Sequence, residues 1–181
     1  MRKISFVILL LLFFTLQAFS QSYLGYISKK TAMRDGPGKQ YEVLTTLIKN
    51  APVFLYSMDT EDGYYHIIDI ESNTEGYVLS TFVKSIESLE KTSDKVFAPT
   101  GRVTSSYSEV SVYNNTSKTM TLKLNSSAYV FSPQERKSIS LSEGTYSFVA
   151  SASGVIPNYG SKYFEKSMGY NWEFYIRTVR R

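Results

Sequence analysis

Apolar and polar residues alternate along most of this chain, the two-residue period of a half-buried β-strand. Tyr23 to Ile27 is the first strand candidate. Lys29 to Arg34 follows, with Thr31 and Met33 on one face and Ala32 and Arg34 on the other. Asp35-Gly36-Pro37-Gly38 reads as a turn, since Asp bonds back to the backbone, Gly admits positive φ and Pro fixes its own φ. Tyr41 to Leu47 and Pro52 to Tyr56 are the next strands, joined through Lys49-Asn50-Ala51. After the polar loop Asp59 to Gly63, Tyr64 to Ile70 is a clear strand. Glu71 to Glu75 turns again, Gly76 to Leu79 closes the set, and Ser80 to Val83 is a last short turn.

The pattern changes at Lys84. Residues 85–100 are polar and mixed in charge, and Ile86 and Leu89 would support one helical turn at most. That composition predicts a tether. Alternation resumes from Gly101. Ser108 to Tyr113, Thr119 to Asn125, Ala128 to Phe131, Ser138 to Ser142, Thr145 to Ala150, Tyr163-Phe164 and Trp172 to Ile176 give about seven short strands with turn residues between them. This spacing predicts a β-sandwich. An ordinary long hairpin loop is expected over 153–160, and Ile156-Pro157-Asn158-Tyr159, between its glycines, is the module's candidate for an exposed recognition element. The chain thus reads as all-β, with a small module over 21–84, a linker over 85–100 and a sandwich over 101–181.

Four motifs of the first module fall in a known order. Met33-Arg34-Asp35-Gly36-Pro37-Gly38, Tyr41-Glu42-Val43-Leu44, Gly63-Tyr64-Tyr65-His66-Ile67 and Glu75-Gly76-Tyr77-Val78 follow the sequence of a bacterial SH3-like (SH3b) domain over residues 23–84. That family carries a Val-Arg-x-Gly-Pro run, a Gly-Trp strand and a Gly-Trp-Val close. Here Tyr64 and Tyr77 stand where Trp is usual, Thr31 where an apolar residue is usual and Ala51 where Gly is usual. The resemblance implies a strongly bent barrel of five or six strands that binds cell-wall peptide, peptidoglycan or a protein partner without catalysis. In the second module, Leu141-Ser142-Glu143-Gly144-Thr145-Tyr146 resembles the hairpin of extracellular immunoglobulin-like and transthyretin-like sandwiches, and it carries no function across.

The N-terminus changes where such a protein would work. Met1-Arg2-Lys3 is basic, Ile4 to Leu16 is an apolar run of about 13 residues, and Ala18 and Ser20 are small. A bilayer span needs roughly 20 residues. The pattern is that of a secretory signal peptide over 1–20, cut before Gln21. Export to the periplasm or the extracellular space is expected, with no membrane span after cleavage. Cys is absent, which excludes a lipoprotein anchor, disulfides and thiol chemistry. Each module must then rest on its own apolar core. Without Arg2 and Lys3, the 20 Lys plus Arg become 18 against 16 acidic residues, a net of about +2. The remaining cations are scattered except for Arg177, Arg180 and Arg181, so no nucleic-acid partner is expected.

Little in the sequence suggests catalysis. His66 is the only histidine and lies mid-strand, on the face of Tyr64 and Ile68, as a half-exposed strand residue. One His and no Cys offer no zinc set. Asp59, Glu61 and Asp62 crowd one loop without the twelve-residue calcium spacing, so no metal or cofactor is expected. Gly36-Pro37-Gly38 lacks the Gly-Lys-Ser/Thr of a phosphate loop. Asn114, Asn115 and Asn125 begin Asn-x-Ser/Thr triplets and read as turn residues. Arg34 is expected to pair locally. The aromatics are the better candidates: Tyr41, Tyr64, Tyr65 and Tyr77 cluster in the motifs, and Tyr combines a flat apolar face with a polar edge. Tyr64 and Tyr65 point to opposite faces, so one of them should be exposed. The expectation is an exported, non-enzymatic binding protein of the bacterial cell envelope, with these four tyrosines at the ligand. The alternatives are an accessory or inhibitor subunit of an envelope hydrolase, or a structural assembly protein.

Overall fold

The computed structural model describes residues 21–176. The expected leader over 1–20, and Arg177, Arg180 and Arg181, lie outside the described residues. The protein is all-β, as its alternation predicts. The first module consists of β1 (Tyr23–Ile27), β2 (Thr31–Arg34), β3 (Val43–Leu47), β4 (Pro52–Leu55), β5 (Tyr64–Asp69), β6 (Thr74–Leu79) and β7 (Val83–Ser88), with a 3-10 turn at Ser80–Phe82. These strands form one antiparallel sheet in the order β3-β2-β6-β5-β4-β1-β7. Leu47 on one edge strand and Val83 and Ile86 on the other pack in the same cluster as Ile27, Met33, Val53, Leu55, Ile67 and Val78. A flat sheet would hold its two edges apart, so the sheet curls around its core.

The turn at 35–38 shows why its residues are needed. A Cβ on Gly36 would lie 2.3, 2.5 and 2.6 Å from three adjacent ring atoms of Tyr41. Such near-equal distances place the ring face directly over the glycine. Arg34 makes the local bond expected of it, donating from Nη1 to the Tyr41 carbonyl at 2.7 Å.

The stretch assigned to a tether is mostly ordered structure. Its first part is β7, which pairs with β1 through Tyr23–Ser88 and Leu24–Glu87, raising the strand number to seven. Its second part holds a 3-10 turn (Asp94–Val96) and the start of β8 (Ala98–Arg102). Phe97 between them is fully buried, with ring centroids 5.2 Å from Phe148, 5.2 Å from Phe164 and 4.8 Å from Trp172. Val96-Phe97-Ala98 is too short an apolar run to carry a periodicity, so composition places it in the linker although Phe97 is a centre of the second core.

The second module continues with β9 (Ser108–Asn114), β10 (Met120–Leu124), β11 (Ser127–Phe131), β12 (Arg136–Leu141), β13 (Gly144–Ala152), β14 (Val155–Phe164) and β15 (Met168–Phe174). They make two four-stranded sheets, β11-β10-β13-β14 and β12-β9-β15-β8. Met120, Leu122, Phe131, Phe148 and Phe164 from one sheet meet Val110, Val112, Ile139, Tyr170 and Trp172 from the other in a single core. This is sandwich packing, in which each strand buries one face. The β9–β15 pair is parallel and the others are antiparallel. The turn after β9 uses Asn114 as a side-chain tie, its amide nitrogen donating to the carbonyls of Lys118, Phe131 and Ser132.

No long loop lies at 153–160. β13 and β14 form a hairpin whose tip is Ser153-Gly154, with Gly154 at φ +71°. Pro157 is accommodated because β14 is an edge strand, where a missing N–H costs no ladder bond. Tyr159, expected to be exposed, is buried.

Tyr159 is buried against the first module. It shares a cluster with Leu24, Phe54, Ile68 and Ile70, and its ring meets Phe54 edge-on at 5.9 Å. Its hydroxyl donates to the Leu89 carbonyl and accepts from Gln21 Nε2. The Thr92 N–H bonds the Tyr159 carbonyl at 2.8 Å, and the Gly154 N–H bonds the Ile70 carbonyl at 2.6 Å. Gly160 is bare because the connecting chain crosses it: a Cβ there would lie 2.8 Å from the Thr92 carbonyl oxygen. The two modules therefore pack as neighbours, with an apolar contact of their own.

Candidate functional site

Beside this contact lies a cleft of about 450 Å³, walled by both modules. A ladder of side chains from the first module leads into it. His66 on β5 stands directly opposite Tyr77 on β6, and Tyr77 opposite Arg34 on β2. Tyr56 follows β4 and donates its N–H to the His66 carbonyl at 3.2 Å, which sets its ring on the other side of His66. Directly opposed side chains project from the same face of a sheet. Here they stack: His66 lies 4.3 Å from Tyr56 at 19° and 4.8 Å from Tyr77 at 12°. Tyr41 is 40% exposed on its seat over Gly36.

A charged knot crosses between the modules at the same place. Glu75 on β6 is opposite Ile68, two residues along the sheet from His66. Its Oε1 lies 2.7 Å from His66 Nε2 and 2.6 Å from Lys123 Nζ, and Lys123 belongs to β10 of the second module. Burial pushes the Glu75 carboxyl up. The hydrogen bonds and charges of His66 and Lys123 outweigh that and hold it at about 2. Tyr56 feels the same surroundings with the opposite result. Burial, then the charge and hydrogen bonding of Glu75, pushes its phenol far above the usual range. Tyr77 is raised too, first by burial and then by Glu61, Glu75 and Tyr41. Both phenols therefore remain protonated and can donate hydrogen bonds at any physiological pH. Lys123 Nζ also lies 5.3 Å from the Tyr56 ring centroid, a cation–π distance.

The four tyrosines expected at a ligand separate. Tyr77 is joined to the cleft through its stack on His66, whereas Tyr41 sits on its own turn, and neither lines the cleft. Tyr65 points to the opposite face and packs half-buried on the first core. Tyr64 is 7% exposed, at the Glu61–Tyr64 closing pair of its turn, and presents almost no surface. Neither of that pair is exposed, contrary to the alternation argument, because one face of β5 lines the core and the other is covered at both ends. His66 is half-exposed as expected, with a side chain 35% accessible, but it sits at the centre of the ring stack. Sequence reasoning missed Tyr56, Glu75 and Lys123. Glu75 was within reach, since the β5–β6 hairpin register puts Tyr77 opposite His66 and Glu75 two residues away; Tyr56 follows β4, outside that hairpin. Lys123 gave no local signal, because 48 residues separate it from Glu75.

Among the described residues, no group of three or more His, Cys, Asp or Glu side chains gathers as a metal site would require. Nor does any helix there have the length and apolarity to cross a membrane. Compared with known protein families, characterised proteins and solved structures, the chain matches none. What the cleft does must be argued from its own geometry: it is preformed, amphipathic and rich in hydrogen-bonding groups.

Proposed function

We propose that this chain is an exported, non-enzymatic binding protein of the bacterial cell envelope, whose first module is SH3-like and docks on cell-wall peptide or peptidoglycan. The observation that carries this reading is the Tyr56–His66–Tyr77 ring stack leading into a cleft of about 450 Å³ between the modules. That volume lies within the range of small-molecule sites, about 300–1,000 Å³. The N-terminal pattern supports export, and the ordered motifs of residues 23–84 together with the curled sheet support the SH3-like reading. His66 is occupied by ring stacking and by Glu75, which suits a rigid binding wall better than a proton shuttle. The test is sedimentation of the mature chain with purified peptidoglycan. The wild-type protein is expected in the pellet, with Tyr41→Ala and Tyr77→Ala each shifting it to the supernatant and Tyr65→Phe leaving it in place. A wild-type chain that stays in the supernatant overturns the reading.

A second reading, a structural assembly protein, is favoured by one edge. β3 carries no charged residue, and Val43 and Leu44 are 45% and 43% exposed on it. Uncharged, apolar edge strands are those that add a partner's strand. Light scattering after size exclusion would show a stable oligomer on this reading, and Val43→Lys would dissociate it.

A further inference from the structure

The charge balance of the cleft narrows what it can hold. An anionic ligand needs a cation that the protein has not already neutralised. Lys123 is met by Glu75 at 2.6 Å, and any charge His66 takes up faces the same carboxylate at 2.7 Å. The other charged side chains lining the cleft are Asp59 and Lys91, equal in number and opposite in sign. The charges at the cleft therefore balance in number, with no excess of either sign to favour an acidic or a basic peptide.

Beside the buried hydroxyls of Ser22, Tyr56 and Tyr159, its uncharged polar lining comes from Ser57 of the first module and from Asn125, Thr145 and Ser147 of the second. Each of these groups both donates and accepts. They stand beside apolar surface from Val149 and Tyr56. Asn125 is the most constrained of them. Its backbone is left-handed, at φ +52°. Its Oδ1 accepts from the Ser147 N–H at 2.9 Å and the Ser147 hydroxyl at 3.1 Å, and neither bond uses the amide hydrogens. The geometry points to a neutral saccharide bearing hydroxyl and amide groups as the occupant of this cleft, held by both modules at once. This deepens the wall-binding reading and rests on it: the cleft takes the glycan of the wall, not its peptide. Sugar hydroxyls match groups that donate and accept, the apolar patch takes the C–H face of a sugar ring, and neither requires a net charge.

The experiment is calorimetric titration of the mature chain with chitotetraose as the neutral probe and a carboxylate-bearing wall stem peptide as the acidic one. Chitotetraose is expected to bind with little dependence on salt, and the stem peptide is not. Asn125→Asp keeps a residue that tolerates left-handed backbone and the acceptor for Ser147, but removes the amide donor. Thr145→Val keeps the shape and removes the hydroxyl. Each is expected to weaken chitotetraose binding about tenfold, the effect of one net hydrogen bond, with an unchanged melting temperature as the control for folding. Binding of the stem peptide alone, or chitotetraose binding that neither variant alters, overturns the inference. If the chain sediments with whole peptidoglycan but chitotetraose gives no heat, the saccharide inference falls and the wall reading stands. If it does neither, both fall.

Discussion

Glu75 shows how one residue can serve the fold and the cleft together. Its carboxylate joins His66 of its own module to Lys123 of the other, and its pKa is held at about 2 against an ordinary 4.5. A group whose folded pKa is depressed adds stability above its unfolded pKa and loses it as pH falls through the folded one. The Glu75 contribution should thus be complete above about 4.5 and gone near 2. The side chain is 35% accessible, so solvent screening reduces the effect to about 1–2 kcal/mol. Glu75→Gln should then melt about 2–8 °C below the wild type at neutral pH, and the gap should close as the buffer is taken from pH 4.5 towards 2. A gap independent of pH would mean that the carboxylate's charge is not what matters. Residue-scale features of this kind were legible only where the partner is close in sequence. Arg34 and Tyr41 are seven positions apart, and both the turn between them and the local pairing of Arg34 were readable. Lys123 was not readable as a partner of Glu75.

At the scale of elements, alternation located nearly all the strands, because a half-buried strand writes its two faces directly into the sequence. It failed where burial does not alternate. β7 has only Val83 and Ile86 partly buried and its other residues exposed, so it resembles a solvated tether although it closes the first sheet. β14 was hidden by Gly and Pro, which signal loops unless the strand lies at an edge. Phe97 tests the corrected boundary. It touches Phe148, Phe164 and Trp172, and Phe97→Ala should remove about 3–5 kcal/mol, as expected for a large aromatic lost from a closed core. Denaturant unfolding measures this. A loss under 1 kcal/mol would return the segment to linker status.

At the scale of the whole molecule, the two modules share apolar surface. Leu24, Phe54, Ile68 and Ile70 pack with Tyr159, and the backbone bonds Thr92 to Tyr159 and Gly154 to Ile70 cross the same contact. Unfolding either module would expose that surface on the other. Scanning calorimetry of the two-module protein should therefore show one cooperative transition, with the calorimetric and van't Hoff enthalpies equal. Two resolved transitions would show that the modules are thermally independent. The same packing makes the cleft a preformed space, so a ligand gains affinity without the cost of ordering its two walls.

By itself the sequence determined the all-β class, most of the strands, the two apolar cores and the turn that seats Tyr41. All of these depend on neighbours a few residues apart, where side-chain period and backbone preference leave a direct trace. The tertiary structure decided the rest: that the supposed tether is strand and core, that Tyr159 is buried, that Tyr64 is closed off, and that His66 meets Tyr56, Tyr77, Glu75 and Lys123 at a cleft. Those contacts join residues from separate strands and separate modules. Beyond the β5–β6 hairpin, local pattern cannot encode them, because they follow from the register of the curled sheet and from the apolar surface each module leaves for the other to cover.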